Sequence, residues 1–75
     1  MNEEWYIYTQ KGLWGVVQTE AEALRIAESI IEDYVKRRGD DRIAVDMETE
    51  DTTSWYSRTT GKGIAIISTK TLNVY

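Results

Sequence analysis

Apolar positions recur along this chain with two different periods. Between Glu20 and Arg38 they fall at Ala23/Leu24, Ala27, Ile30/Ile31 and Tyr34/Val35. Spacings of three and four lay a broad apolar stripe along one side of an α-helix. Thr19-x-x-Glu22 in front of the stripe is a capping box, whose hydroxyl and carboxylate can satisfy the first free amides. Lys36, Arg37 and Arg38 fill the last turn, where the helix dipole favours cations, and Gly39 is a natural stop.

Elsewhere the period is two. Glu4–Thr9 places Trp5, Ile7 and Thr9 on one side and Tyr6 and Tyr8 on the other, as a strand would. Gln10-Lys11-Gly12 is a short turn, and Leu13–Gln18 the return strand of a hairpin. Arg42–Glu50 alternates strictly: Ile43, Val45, Met47 and Thr49 against Ala44, Asp46, Glu48 and Glu50. Ser54–Thr60 reads as a further strand. Ile64–Ile67 is apolar on both sides, which marks an interior one. From Ser68 to Tyr75 the chain keeps strand-forming residues, with Leu72 and Val74 in alternation, so the strand continues or bends into a short extra one. The order is β-β-α-β-β-β. Its economical fold is a single α+β domain over residues 1–75, an antiparallel sheet with one helix on one face, a two-layer sandwich.

Composition narrows the chemistry. The chain has no His, Cys, Pro or Phe, yet three Trp and five Tyr in 75 residues. Without His or Cys, the commonest general base and the usual zinc ligand sets are missing, so no enzyme, metal or cofactor is expected. Absence of Cys fits a cytoplasmic protein. No apolar run reaches the roughly 18 residues of a membrane span, and the N-terminal Met-Asn-Glu-Glu has no secretory character. The missing residue types admit a designed chain, but the Ser/Thr-rich final third is not an idealised surface and favours a natural one. A domain of this size buries only about 60–65% of its unfolded surface, and self-association is the stabilising device left open to it.

Net charge is −4, unevenly spread: residues 1–51 hold all thirteen acids, and the remainder holds Arg58, Lys62 and Lys70 with none. Asp46 and Glu48 belong to an acidic ladder continued by Glu50 and Asp51, with Asp40 and Asp41 before it. Alternate carboxylates on a strand lie about 6.6–7 Å apart, too far to chelate one cation unaided. Thr60-Gly61-Lys62-Gly63 lacks the spacing of a phosphate-binding loop and reads as a hairpin loop.

With no Phe, two of the three Trp are expected in the core. Tyr6, Tyr8 and Tyr56 are one residue out of phase with Trp5 and Trp55 and belong to the opposite, open face. Beside Arg58, Asp46 and Glu48 they compose a Tyr/Arg/carboxylate surface of the kind found at interface hot spots. The expected function is therefore a small protein-binding module, an inhibitor or adaptor that occludes a partner protein's surface. A hairpin leading into Thr-Glu-Ala-Glu-Ala-Leu at residues 19–24 is similar in style to many small phage and bacterial proteins. The rival expectation is single-stranded nucleic acid, its bases stacked on the same tyrosines with Arg58, Lys62 and Lys70 near the phosphates. Leu72, Val74 and Tyr75 at the C-terminus would either pair with a second copy in a homodimer or dock on the chain's own sheet.

Overall fold

A computed structural model describes residues 3–70. β1 (Trp5–Thr9) and β2 (Gly12–Val17) form the opening hairpin, and α1 (Glu20–Arg38) follows. β3 (Ile43–Glu48), β4 (Thr52–Ser57) and β5 (Gly63–Ser68) complete one five-stranded antiparallel sheet in the order β2-β1-β5-β4-β3. The arrangement is the expected α+β one, with the elements in the order β-β-α-β-β-β and the apolar strand β5 at the centre. Leu72, Val74 and Tyr75 lie outside the described residues.

The helix begins and ends where local chemistry dictates. The Thr19 hydroxyl accepts the Glu22 amide at 3.2 Å and donates to the Glu22 carboxylate at 3.2 Å. Gly39 adopts φ 66°, a left-handed conformation that costs glycine little, and its N–H donates to the Val35 carbonyl at 2.8 Å. Between these caps α1 lies mainly across β5, β1 and β2. Ala23 and Ala27, with no bulk beyond Cβ, let the helix approach Trp5, Ile7, Ala65 and Ile67 closely. Val17, Ile26, Ile30, Ile31 and Trp55 flank that core. Two tryptophans, Trp5 and Trp55, thus serve the core, while Trp14 is 57% exposed.

Two strands differ in extent from the sequence expectation. β4 runs from Thr52 to Ser57 rather than from Ser54 to Thr60. The Ser57 hydroxyl accepts the amides of Thr59 and Thr60, each at 3.1 Å, and the Gly61 N–H donates to the Ser57 carbonyl at 2.8 Å. A short polar side chain that satisfies the next backbone amides offers the chain a turn in place of a ladder. β3 stops at Glu48 for a related reason: the Thr49 hydroxyl donates to the Asp51 carboxylate at 3.0 Å and opens the turn into β4.

The loop after α1 is latched to the sheet by Asp40. Its carboxylate accepts from Ser57 Oγ at 2.5 Å, Tyr34 Oη at 3.0 Å, Thr59 Oγ1 at 3.1 Å and the Arg42 amide at 3.2 Å. Helix end, interstrand loop and β4–β5 turn therefore meet on one acceptor. Ser57 is fully buried and joins the carboxylate to two turn amides. Ser57→Ala leaves those groups short of a partner and should lower unfolding free energy by about 1–3 kcal/mol. Urea denaturation checks this, with Glu28→Gln on the exposed helix side shifting stability by no more than about 0.5 kcal/mol.

Candidate functional site

Register decides which residues share a face of the sheet. Residues directly opposed in antiparallel strands point the same way. Ile7 pairs with Gly15 and Ile67, Ile67 with Thr53, and Ala65 with Trp55, so these lie on the helix side. Tyr6 pairs with Val16 and Ser68, and Tyr8 with Leu13 and Ile66, on the open side. The open face continues through Ser54 opposite Ile66, Thr52 opposite Ser68, and Tyr56 opposite Ala44.

Three register shifts interrupt the alternation. Trp14 is the extra residue of β2, Asp46 that of β3 and Ile64 that of β5. Each bulge transfers the residues beyond it to the other face. Leu13 and Val16 consequently share the open face although they are three apart. Met47, expected beside Val45, pairs instead with Ser54 on the open face, while Val45 pairs with Trp55 on the helix side. Glu48 pairs with Thr53 and so also lies on the helix side.

The expected site is therefore partly assembled and partly dispersed. Tyr6, Tyr8 and Tyr56 do share the open face. Tyr6 and Tyr56 are half-buried, but Tyr8, at 4% exposed, is not the solvent-facing contact the sequence pattern implies. Leu13 and Ile66 flank it in the register. Asp46 is the unpaired bulge residue, Glu48 is on the opposite side, and the acidic ladder does not form a single row. Arg58 lies beyond β4, in the turn, where its N–H donates to the Arg42 carbonyl at 2.7 Å. Every strand position that pairing assigns to the tyrosine face is uncharged. Leu13 (56% exposed), Met47 (50%) and Val16 are its most open apolar side chains. Sequence reasoning missed these three, because a bulge leaves no local signature in the residues that form it.

Charge collects instead at the ends of the strands. At the end where α1 finishes, the β1–β2 turn brings Lys11 and the last helical turn brings Lys36, Arg37 and Arg38. The αβ loop adds Arg42, and the β4–β5 turn adds Arg58 and Lys62. Glu32, Asp33, Asp40 and Asp41 offset part of this charge. The opposite end holds Glu3 and Glu4 before β1, Glu20 and Glu22 in the first helical turn, and Glu48, Glu50 and Asp51 around the β3–β4 turn. Lys70 also lies at that end, and it meets Asp51 at 3.1 Å. The split expected between chain halves is thus a polarity along the strand axis.

Two carboxylates are perturbed. The Ser57 hydroxyl, then the Arg42 amide and the Tyr34 and Thr59 hydroxyls, hold Asp40 below the ordinary aspartate value. The Lys70 ammonium and the Thr49 hydroxyl do the same for Asp51. Both are acceptors already supplied with donors, which suits fixed structural anchors better than acids or bases in turnover. Among the described residues, no group of three or more carboxylates is placed to hold a metal ion, and no helix is long and apolar enough to cross a membrane.

On the helix side, two adjoining hollows open beside the end of α1. One, of about 640 Å³, has Ile26, Ile30 and Ile64 among its lining residues, with Trp14, Lys11 and Arg37 around them. The other, of about 540 Å³, is lined by Arg38, Lys62, Thr60 and Gly63. Gln10 and Tyr34 line both.

No family model, curated protein or solved structure matches this chain.

The depressed Asp40 value has a signed consequence. A carboxylate whose folded pKa lies below its unfolded value of 3.8 stabilises the fold above that value and loses the contribution as pH falls through the folded one. Asp40→Asn should therefore be less stable than wild type at neutral pH, with the gap narrowing once pH falls below 3.8 and wild-type Asp40 itself begins to protonate through its lowered folded value. Thermal unfolding across pH 2–7 reads this directly. A gap that persists undiminished at pH 2 contradicts the assignment.

Proposed function

We propose that the protein is a non-enzymatic protein-binding module whose contact surface is the open face of the sheet. The observation that carries this reading is the absence of charge from every paired strand position on that face. Depletion of charged residues, with Tyr and Met enriched, distinguishes the cores of protein interfaces from ordinary surface. Half-buried Tyr6 and Tyr56 supply rigid rings with a hydroxyl each, and Leu13, Val16 and Met47 supply apolar area at the flanks. A partner laid across the sheet would dehydrate these side chains without stranding a charge. The action is occlusion, as an inhibitor or adaptor covers a surface that another molecule needs.

This site differs from the one expected from the sequence. Tyr6 and Tyr56 stay in it, Tyr8 becomes its buried support, and Leu13, Val16 and Met47 replace Asp46, Glu48 and Arg58. The same change weakens the nucleic-acid alternative on this face. Lys70 is paired with Asp51, Lys62 lines a hollow on the helix side, and no paired strand position on the face holds a cation.

The test compares three immobilised baits in lysate of the cells that make the protein: wild type, Leu13→Asp/Met47→Asp, and Glu28→Lys on the exposed helix side. A protein retained by wild type and by Glu28→Lys, lost by the double variant, and insensitive to nuclease is the expected result. Each bait is first shown to unfold at a similar temperature. Retention by all three refutes the face, and loss of every partner with nuclease transfers the reading to nucleic acid.

A further inference from the structure

We infer that the two hollows beside the end of α1 form a second binding site, whose ligand is an acidic peptide segment of a partner protein. An apolar residue of the segment would sit beside Trp14, with its carboxylates beside Arg38 and Lys62. This trough and the open face lie on opposite sides of the sheet, so either can fail alone.

Geometry supplies the first argument. The larger hollow is aliphatic within, at Ile26, Ile30 and Ile64, and is bounded by an indole 57% exposed. An exposed Trp beside half-buried Ile26 and Ile30, with buried Ile64 beneath, can take up an apolar side chain with little rearrangement. The smaller hollow holds two cations and no carboxylate. Tyr34, common to both, is held in place by its hydrogen bond to Asp40 at 3.0 Å.

Charge supplies the second. Asp33, the one acid lining the trough, is engaged by Arg37 at 2.9 Å. Among the described residues, Lys11, Arg38 and Lys62 form no ion pair. The acidic end of the molecule lies a strand length away, about 20 Å, beyond the roughly 8 Å reach of charge at physiological salt. A short anion in the trough therefore meets an end where Lys11, Lys36, Arg37, Arg38, Arg42, Arg58 and Lys62 outnumber Glu32, Asp33, Asp40 and Asp41, despite the net charge of −4. A nucleic-acid strand extends further and needs repeated phosphate contacts, which the acidic end would oppose.

The probe is a fluorescein-labelled Asp-Leu-Glu-Asp-Leu-Glu peptide titrated with the whole chain and followed by anisotropy. Its Asn/Gln counterpart and a thymidine oligomer of about twelve nucleotides serve as the other arms. Saturable binding of the acidic peptide is expected, weakened roughly tenfold by Arg38→Gln/Lys62→Gln and by Trp14→Ala, and unchanged in Leu13→Asp. Arg38→Glu/Lys62→Glu should abolish it, and circular dichroism confirms the fold of each variant. No binding by the acidic peptide, equal binding of the Asn/Gln peptide, unchanged affinity in the folded Gln variant, or tighter binding of the oligomer would each overturn the site.

Discussion

A helix is about 10 Å across and sheet strands are about 4.8 Å apart, so one helix can cover two or three strands. This chain has one helix and five strands. Everything else in the structure answers that mismatch. α1 lies over β5, β1 and β2, where Ala23 and Ala27 bring it down onto Trp5, Ile7 and Ile67. β4 and β3 continue beyond it, and Trp55 bridges from the sheet to the flank of the core. The opposite face of all five strands carries no second helical layer among the described residues.

A bare sheet face usually earns its solubility by alternating polar residues. This one does not. Its paired positions hold Tyr, Leu, Val, Ile, Met, Ala, Gly, Ser and Thr, while most of the charges, Asp46 at its bulge apart, stand toward the two ends of the strands and on the helix. The three bulges sharpen this separation: one removes Asp46 from the ladder, sends Glu48 to the helix side and turns Met47 outward onto the open face. Segregation of this kind keeps the molecule charged as a whole and leaves one surface that can be dehydrated cheaply.

The readable parts of the chain were those governed by near neighbours. The capping box at Thr19 and the glycine at 39 bound a helix whose stripe is visible by counting threes and fours. Alternation in β1 puts Tyr6 and Tyr8 together, and the phase of Trp55 and Tyr56 adds the third tyrosine. What could not be read depends on partners distant in sequence. Trp14, Asp46 and Ile64 become bulges only when a particular strand lies opposite. Ser57 ends β4 because its hydroxyl is drawn to Asp40, seventeen positions earlier, and to the amides of its own turn. The basic end draws Lys11, Arg38 and Lys62 from three separated segments, and no window of sequence contains them together.

We propose that a sheet face uncharged at its paired positions, with its tyrosines and bulge-shifted aliphatics, is what this protein presents to another protein. The most direct measurement is site-specific photo-crosslinking in the cells that make the protein, with a photoreactive amino acid at Leu13, at Met47 or, on the outer side of the helix, at Glu28. The account predicts one discrete crosslinked protein, the same from Leu13 and Met47, and none of it from Glu28. Crosslinks of equal strength from Glu28, or none from either sheet position, would contradict it.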